Sequence, residues 1–208
     1  VAPKAWLRKN GEIFLYKDGN INEVNAELLA SKIAGCFQCN RVEYFEECYL
    51  GQKVCASKLI TSEDKSIVPM EFIEVYAANN NTDRFSIVLN KDAYNYYMMN
   101  IIDYLIGNTD RHWGNWGFFV DNATNQLTEL YPLMDFNKAF TAYENIEGAK
   151  CLTSKPTMAQ KQAAIEAVSE IGLNQIAEIS GEWFYDAKIR EMFFKRLAVL
   201  KEVESTKK

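Results

Sequence analysis

Over the first seventeen residues the hydrophobic and polar positions run in two β-rich segments, 4–9 and 12–17, with Asn10-Gly11 between them. Asn-Gly at that place predicts a two-residue hairpin, because both central positions of its turn need positive φ. In the second arm Ile13 and Leu15 share one face and Phe14 and Tyr16 the other, so both faces are expected to be partly covered. Asp18-Gly19-Asn20 reads as a turn, and the period then lengthens. Asn22 is the expected cap of a helix over 23–33, with Val24, Leu28, Ala30 and Ile33 at helical spacing and Gly35 at the end. Strands are expected at 41–46 and 53–60, and Glu71-Phe-Ile-Glu-Val-Tyr76 reads as another, running into the polar tract 77–83 that links two subdomains. Beyond this tract the pattern predicts helices over 93–106, 158–171 and 186–203, the last with Ile189, Met192, Phe193, Leu197 and Leu200 along one stripe. A hairpin with arms 116–120 and 127–133 lies between the first two of them. The expected class is α+β: a sheet with one helix over residues 1–76, then a mainly helical part over 77–208.

Composition narrows the function classes. With 48% hydrophobic residues in 208, the chain has enough apolar surface for a real core, which excludes disorder and fibrous structure. The formal net charge of −5 gives no electrostatic reason to expect a nucleic-acid backbone or an anionic membrane as the main partner. The longest apolar stretch, around Tyr96–Ile102, is broken by Asn100 and followed by Asp103, far short of a membrane span, so a soluble chain is expected. Five cysteines, an odd number in a chain that needs no staples, point to a reducing compartment and a cytoplasmic location. Cys36-Phe-Gln-Cys39 has redox or zinc spacing, but without a second pair or a nearby histidine the two read as structural. Because the first residue is Val1 and not Met, the chain is expected to be a processed form or a piece of a longer polypeptide.

The chemistry concentrates in residues 105–120 and 132–137. A hairpin returns the chain to where it left, so Asn115, just before the first arm, and Asp135, just after the second, emerge at the same end. Asp110 precedes Asn115 by five residues, in the loop leaving the long apolar helix. Three oxygen-bearing side chains around one point suit a hard cation, and Mg²⁺ in particular, which completes its shell with waters and substrate phosphates. An Asp, an Asn five residues later, a short hairpin and then Asp-Phe is also the order of a kinase catalytic loop and metal-binding segment, although the triplet here is Asp-Arg-His and not His-Arg-Asp. The plainer reading of Asp110-Arg111 is an ion pair at a helix end.

Residues 108–115 and 132–135 resemble the N-x-D-x-H-x-x-N loop and P-L-x-D segment of HipA-type kinases. Upstream, Ala2-Pro-Lys-Ala-Trp6 is similar to the end of that family's phosphate-covering loop, Phe14–Lys17 to its ATP-anchoring strand, and Ala26–Ile33 to its lobe-bridging helix. The resemblance implies a two-lobed kinase-like fold with ATP and Mg²⁺ in the cleft, and Asp110 as the base for the acceptor hydroxyl. Asn115 and Asp135 would hold the metal, Lys4 and Lys17 would contact phosphate, and Glu27 would pair with Lys17, with Glu23 competing from one turn earlier. His112, the single histidine, would orient the loop, and residues 71–76 would form the adenine-contacting hinge. It further implies a protein serine or threonine as acceptor, with a translation factor among the acceptors known in the family, and an antitoxin-like partner; the acidic balance, separately, is the reason to expect no direct nucleic-acid or membrane contact. Two features depart from the pattern. The glycine-bearing front of the phosphate loop is absent before Ala2, so it is expected upstream or else the nucleotide grip is abnormal; and Asn137 stands where the metal segment has glycine, a mild change if that position is left-handed. Phosphoinositide kinases share the Asp-Arg-His-x-x-Asn loop, and a regulatory module that keeps the fold without turnover is the third alternative.

Overall fold

The computed structural model describes residues 3–141, 143–154 and 157–206, so Ala2, at the start of the phosphate-loop reading, lies outside the described residues. Strands β1 (Lys4–Lys9) and β2 (Glu12–Lys17) pair antiparallel across Asn10 and Gly11, both at positive φ as the dipeptide requires. Helix α1 (Ile21–Ala34) follows. Its cap is Asn20, not Asn22: the Asn20 side chain accepts from the backbone N–H groups of Asn22 and Glu23, which starts the helix two residues earlier than the sequence suggests.

Strands β3 (Phe45–Tyr49) and β4 (Gln52–Lys58) complete a four-stranded sheet in the order β1-β2-β4-β3. The expected strand at 41–46 begins only at Phe45, because the preceding backbone is satisfied elsewhere. Val42 donates to the Leu133 carbonyl, and the Ser31 hydroxyl accepts from Tyr44 N–H while donating to the Val42 carbonyl.

Strand β5 (Lys65–Pro69) lies inside the 1–76 segment but pairs with β6 (Gly117–Asp121), which pairs in turn with β7 (Gln126–Leu130). Residues 71–76 are helical and not extended: a 3₁₀ turn at Met70–Phe72 leads into α2 (Ile73–Asn79). Burial explains the difference from the expected strand, since the buried Ile73 and Ala77 are four apart while the β-prone Phe72 and Val75 face solvent. Helix α3 (Arg84–Ile106) starts nine residues before the expected Ala93 and is broken at Asp92, whose carboxylate accepts from Asn95 N–H and from Leu130 N–H on β7. Helices α4 (Gln160–Ile171) and α5 (Ala187–Thr206) stand close to where periodicity places them.

One apolar core runs through the molecule, joining Val24, Ala30 and Ile33 of α1 to Met98, Ile102 and Leu105 of α3, Val168 of α4 and Phe193 and Leu197 of α5. A smaller cluster of Phe14, Tyr16, Val54 and Ala56 covers the other face of the four-stranded sheet. Residue 17 alternates away from that cluster, on the face of Ile13 and Leu15, and this places Lys17 in the cleft. Among the described residues no helix is long and apolar enough to cross a membrane.

Candidate active site

Lys17, at the end of β2, is 7% exposed and carries the centre of the site. Its Nζ donates to Glu27 Oε1 at 3.1 Å, to Asp135 Oδ1 at 3.0 Å and to the Tyr44 hydroxyl oxygen at 3.3 Å. Burial disfavours the ammonium, but the Tyr44 oxygen and the Glu27 and Asp135 carboxylates facing it outweigh that cost and hold Lys17 charged, with its pKa above the ordinary lysine value. Burial also pushes the Asp135 carboxyl up; Lys17, with smaller contributions from Lys4 and Arg111, overcomes this and keeps Asp135 below the usual carboxylate range.

The α1 helix supplies Glu27, and the structure separates it from Glu23: Glu27 turns inward to Lys17 and also accepts from Phe136 N–H at 3.1 Å, whereas Glu23 pairs with Lys138 at 2.6 Å. Tyr44 is brought in by the run beside Leu133, and its hydroxyl oxygen accepts from Asp135 N–H at 3.3 Å. Tyr44 carries no motif signal and was not among the expected site residues.

The loop over residues 108–115 hangs on a buried ion pair. Asp103, on α3, accepts from Arg111 Nε at 2.9 Å and Nη2 at 3.0 Å, and the remaining Arg111 nitrogen donates to the carbonyls of Asn115 and Met134. Arg111 therefore pairs with Asp103 and not with Asp110, which removes the plainer reading of the dipeptide. Burial opposes its charge and Asp103 more than restores it, so Arg111 is held above its ordinary value. Asn108 donates to Asp103 Oδ1 and accepts from Asp110 N–H, and Asn115 Nδ2 donates to the Asp110 carbonyl at 2.7 Å. The Asp110 carboxylate accepts no hydrogen bond among the described residues and lines the cavity. His112 Nδ1 accepts from Gly114 N–H at 3.0 Å, a loop-orienting contact. The sequence signal for Asp103 was present but unspecific: a charge inside an apolar helical stretch, three residues after the equally buried Asn100.

Lys4, Lys17, Glu27, Asp110, Asn115 and Asp135 all line one cavity of about 260 Å³ between the four-stranded sheet and the loop. Lys4 faces Lys17 in the β1–β2 register. Asp135 adopts φ +61°, while Asn137 does not have positive φ, so the left-handed position expected at 137 lies two residues earlier. Aspartate tolerates that region better than most residues. Cys55 also lines the cavity, with burial pushing its thiol up to about 12; Cys39 is pushed to about 12 in the same way, and Cys36 is raised by burial as well. Neutral buried thiols fit the structural reading of these cysteines.

Among the described residues no group of three or more His, Cys, Asp or Glu side chains could enclose a metal. The donor set does fit a magnesium ion that takes most of its shell from phosphate and water: Asn115 spends its Nδ2 on Asp110, which leaves its Oδ1 uncommitted, and Asp135 is held ionised.

No protein-family model and no curated protein sequence matches the chain. Solved structures do. The proinflammatory kinase CtkA of Helicobacter pylori superposes with a TM-score of 0.73 at 15% identity, over 99% of this chain and 91% of that one. The toxin HipA of Shewanella oneidensis MR-1, solved with HipB and its operator DNA, superposes with a TM-score of 0.58 at 14% identity; all but 1% of this chain is matched, but it spans only 62% of HipA. The fold is thus the kinase-like α+β fold of HipA-type proteins.

Proposed function

We propose that the chain transfers the γ-phosphoryl group of ATP, with Mg²⁺, to a serine or threonine hydroxyl of a protein. The observation that carries this reading is the bridge from Lys17 to both Glu27 and Asp135 inside a cavity that Asp110 and Asn115 also line. Phosphoryl transfer asks mainly for positioning and charge neutralisation. Lys17, oriented by Glu27, offers a fixed positive charge to the nucleotide phosphates, with Lys4 on the neighbouring strand as a second. Asn115 and Asp135 would hold the ion, whose chemistry when bound is to neutralise the phosphate oxygens. The acceptor oxygen forms its bond to the γ-phosphorus as the bond to the β–γ bridging oxygen breaks and ADP leaves. Asp110, whose carboxylate accepts no hydrogen bond among the described residues, takes the hydroxyl proton. A cytoplasmic site of action and an antitoxin-like protein partner belong to the same reading, the latter supported by the HipA neighbour having been solved with HipB.

The test is incubation of the chain with γ-labelled ATP and Mg²⁺ beside a protein extract and, separately, phosphoinositide vesicles. Label on protein serine or threonine is expected. Label confined to lipid reassigns the acceptor, nucleotide binding without transfer marks a regulatory module, and the absence of any Mg²⁺-dependent ATP binding overturns the reading.

A further inference from the structure

Asn137 lines both the nucleotide cavity and an adjoining groove of about 560 Å³, where Lys138, Thr141 and Tyr185 form part of the wall. Its backbone is not left-handed, so the residue is not there as a substitute for glycine's conformational freedom. Its Oδ1 is enclosed and accepts no hydrogen bond among the described residues. A buried amide oxygen without a donor is an uncompensated cost. A half-turn of the carboxamide exchanges Oδ1 with Nδ2 and presents the oxygen on the other side of the group. The cavity it lines already carries the Asn115 amide and the Asp135 carboxylate, and Asp135 is only two residues away along the chain.

Resting on the reading of Asn115 and Asp135 as the magnesium ligands, we infer that Asn137 is a third protein oxygen ligand for the divalent cation, its carboxamide turning out of the enclosed position as the ion and nucleotide enter. Amide and carboxylate oxygens are the donors that hard cations take, and an octahedral ion with three protein oxygens keeps its other positions for phosphate and water. The enclosed oxygen gains in that state the partner it otherwise lacks.

Mn²⁺ serves as the probe because it accepts the same oxygen ligands. Its binding to the chain in the presence of ADP is followed by electron paramagnetic resonance, with melting curves to show that each variant is folded. Asn137→Gly is expected to weaken Mn²⁺ about tenfold or more, while Asn137→Asp, which keeps an oxygen at the same reach and adds charge, binds at least as tightly as the wild type. If Asn137→Gly binds like the wild type and Asp135→Asn does not, Asn137 is no ligand and the magnesium reading stands. Equal weakening in the Gly and Asp variants also overturns the inference, since it marks a loss of local shape. Wild-type chain that takes up no Mn²⁺, or takes it up regardless of Asp135→Asn, removes the magnesium reading and this inference with it.

Discussion

Lys17 and Asp135, 118 positions apart in the chain, meet at 3.0 Å in the cleft. Their shifts fix a pH dependence. Asp135 has a lowered folded pKa, so its contribution to stability is present above the unfolded value of about 3.9 and is lost as pH falls through the folded value. Lys17 has a raised folded pKa, so its contribution is present below about 10.4 and is lost only as pH rises through a more alkaline folded value. Urea midpoints measured from pH 8 to pH 2.5 should therefore show an acid limb below about pH 4 that is shallower in Lys17→Met than in the wild type. An acid limb of equal depth in the variant would show that Asp135 does not depend on Lys17.

Asp110→Asn should reduce phosphotransfer by roughly 10²–10⁴-fold, the usual contribution of a positioned general base. Melting temperature and Mg²⁺-ATP affinity should stay near wild type, because the carboxylate holds no other described residue in place. Turnover assays and calorimetry on the same preparation separate the two effects; a variant that no longer binds ATP would mean that Asp110 shapes the nucleotide site.

The Asp103–Arg111 pair makes a different demand. Asp103→Ala leaves a fully buried guanidinium without its carboxylate, which should cost about 3–5 kcal/mol in chemical denaturation. Removing both charges together, as in Asp103→Leu with Arg111→Met, should cost clearly less than the two single losses added, because neither ion is then left unpaired. Additive losses would show that the pair is not a coupled unit.

Tyr44→Phe removes the oxygen that accepts from both Lys17 Nζ and Asp135 N–H. A loss of about 1–3 kcal/mol of stability is expected from the two donors left short of a partner. The ring remains edge-on to Phe136, so the packing that brackets the Asp135 segment is kept and activity should fall less than in Lys17→Met. Denaturation curves and turnover numbers for the two variants decide this.

Local chemistry made part of this arrangement readable from sequence. Asn10-Gly11 placed the first hairpin to the residue, and the spacing of Asp110, Asn115 and Asp135 about a second hairpin anticipated side chains that do line one cavity. What escaped was set by tertiary contacts. The run 41–44 looks like strand, yet its backbone bonds go to Ser31 and Leu133, and that detour delivers Tyr44 to Lys17. Residues 71–76 have strand-like composition, but the buried side chains along this stretch are Met70, Ile73 and Ala77, a spacing of three and four that a helix satisfies and a strand does not. Asp103 was visible as a charge in an apolar stretch, and nothing local pointed to Arg111, eight residues on, as its partner.

The pairing of β5 with β6 carries a mechanical implication. The strand that enters the helical part of the molecule is stitched to the β6–β7 hairpin and not to the four-stranded sheet, so residues 59–64 are the span between the two sheets on that side. If the cleft takes a nucleotide as proposed, movement of the four-stranded sheet to admit or release it would pivot on that short span. Such a swing would have to stretch the Lys17–Asp135 contact, which makes that pair the joint between the two sheets.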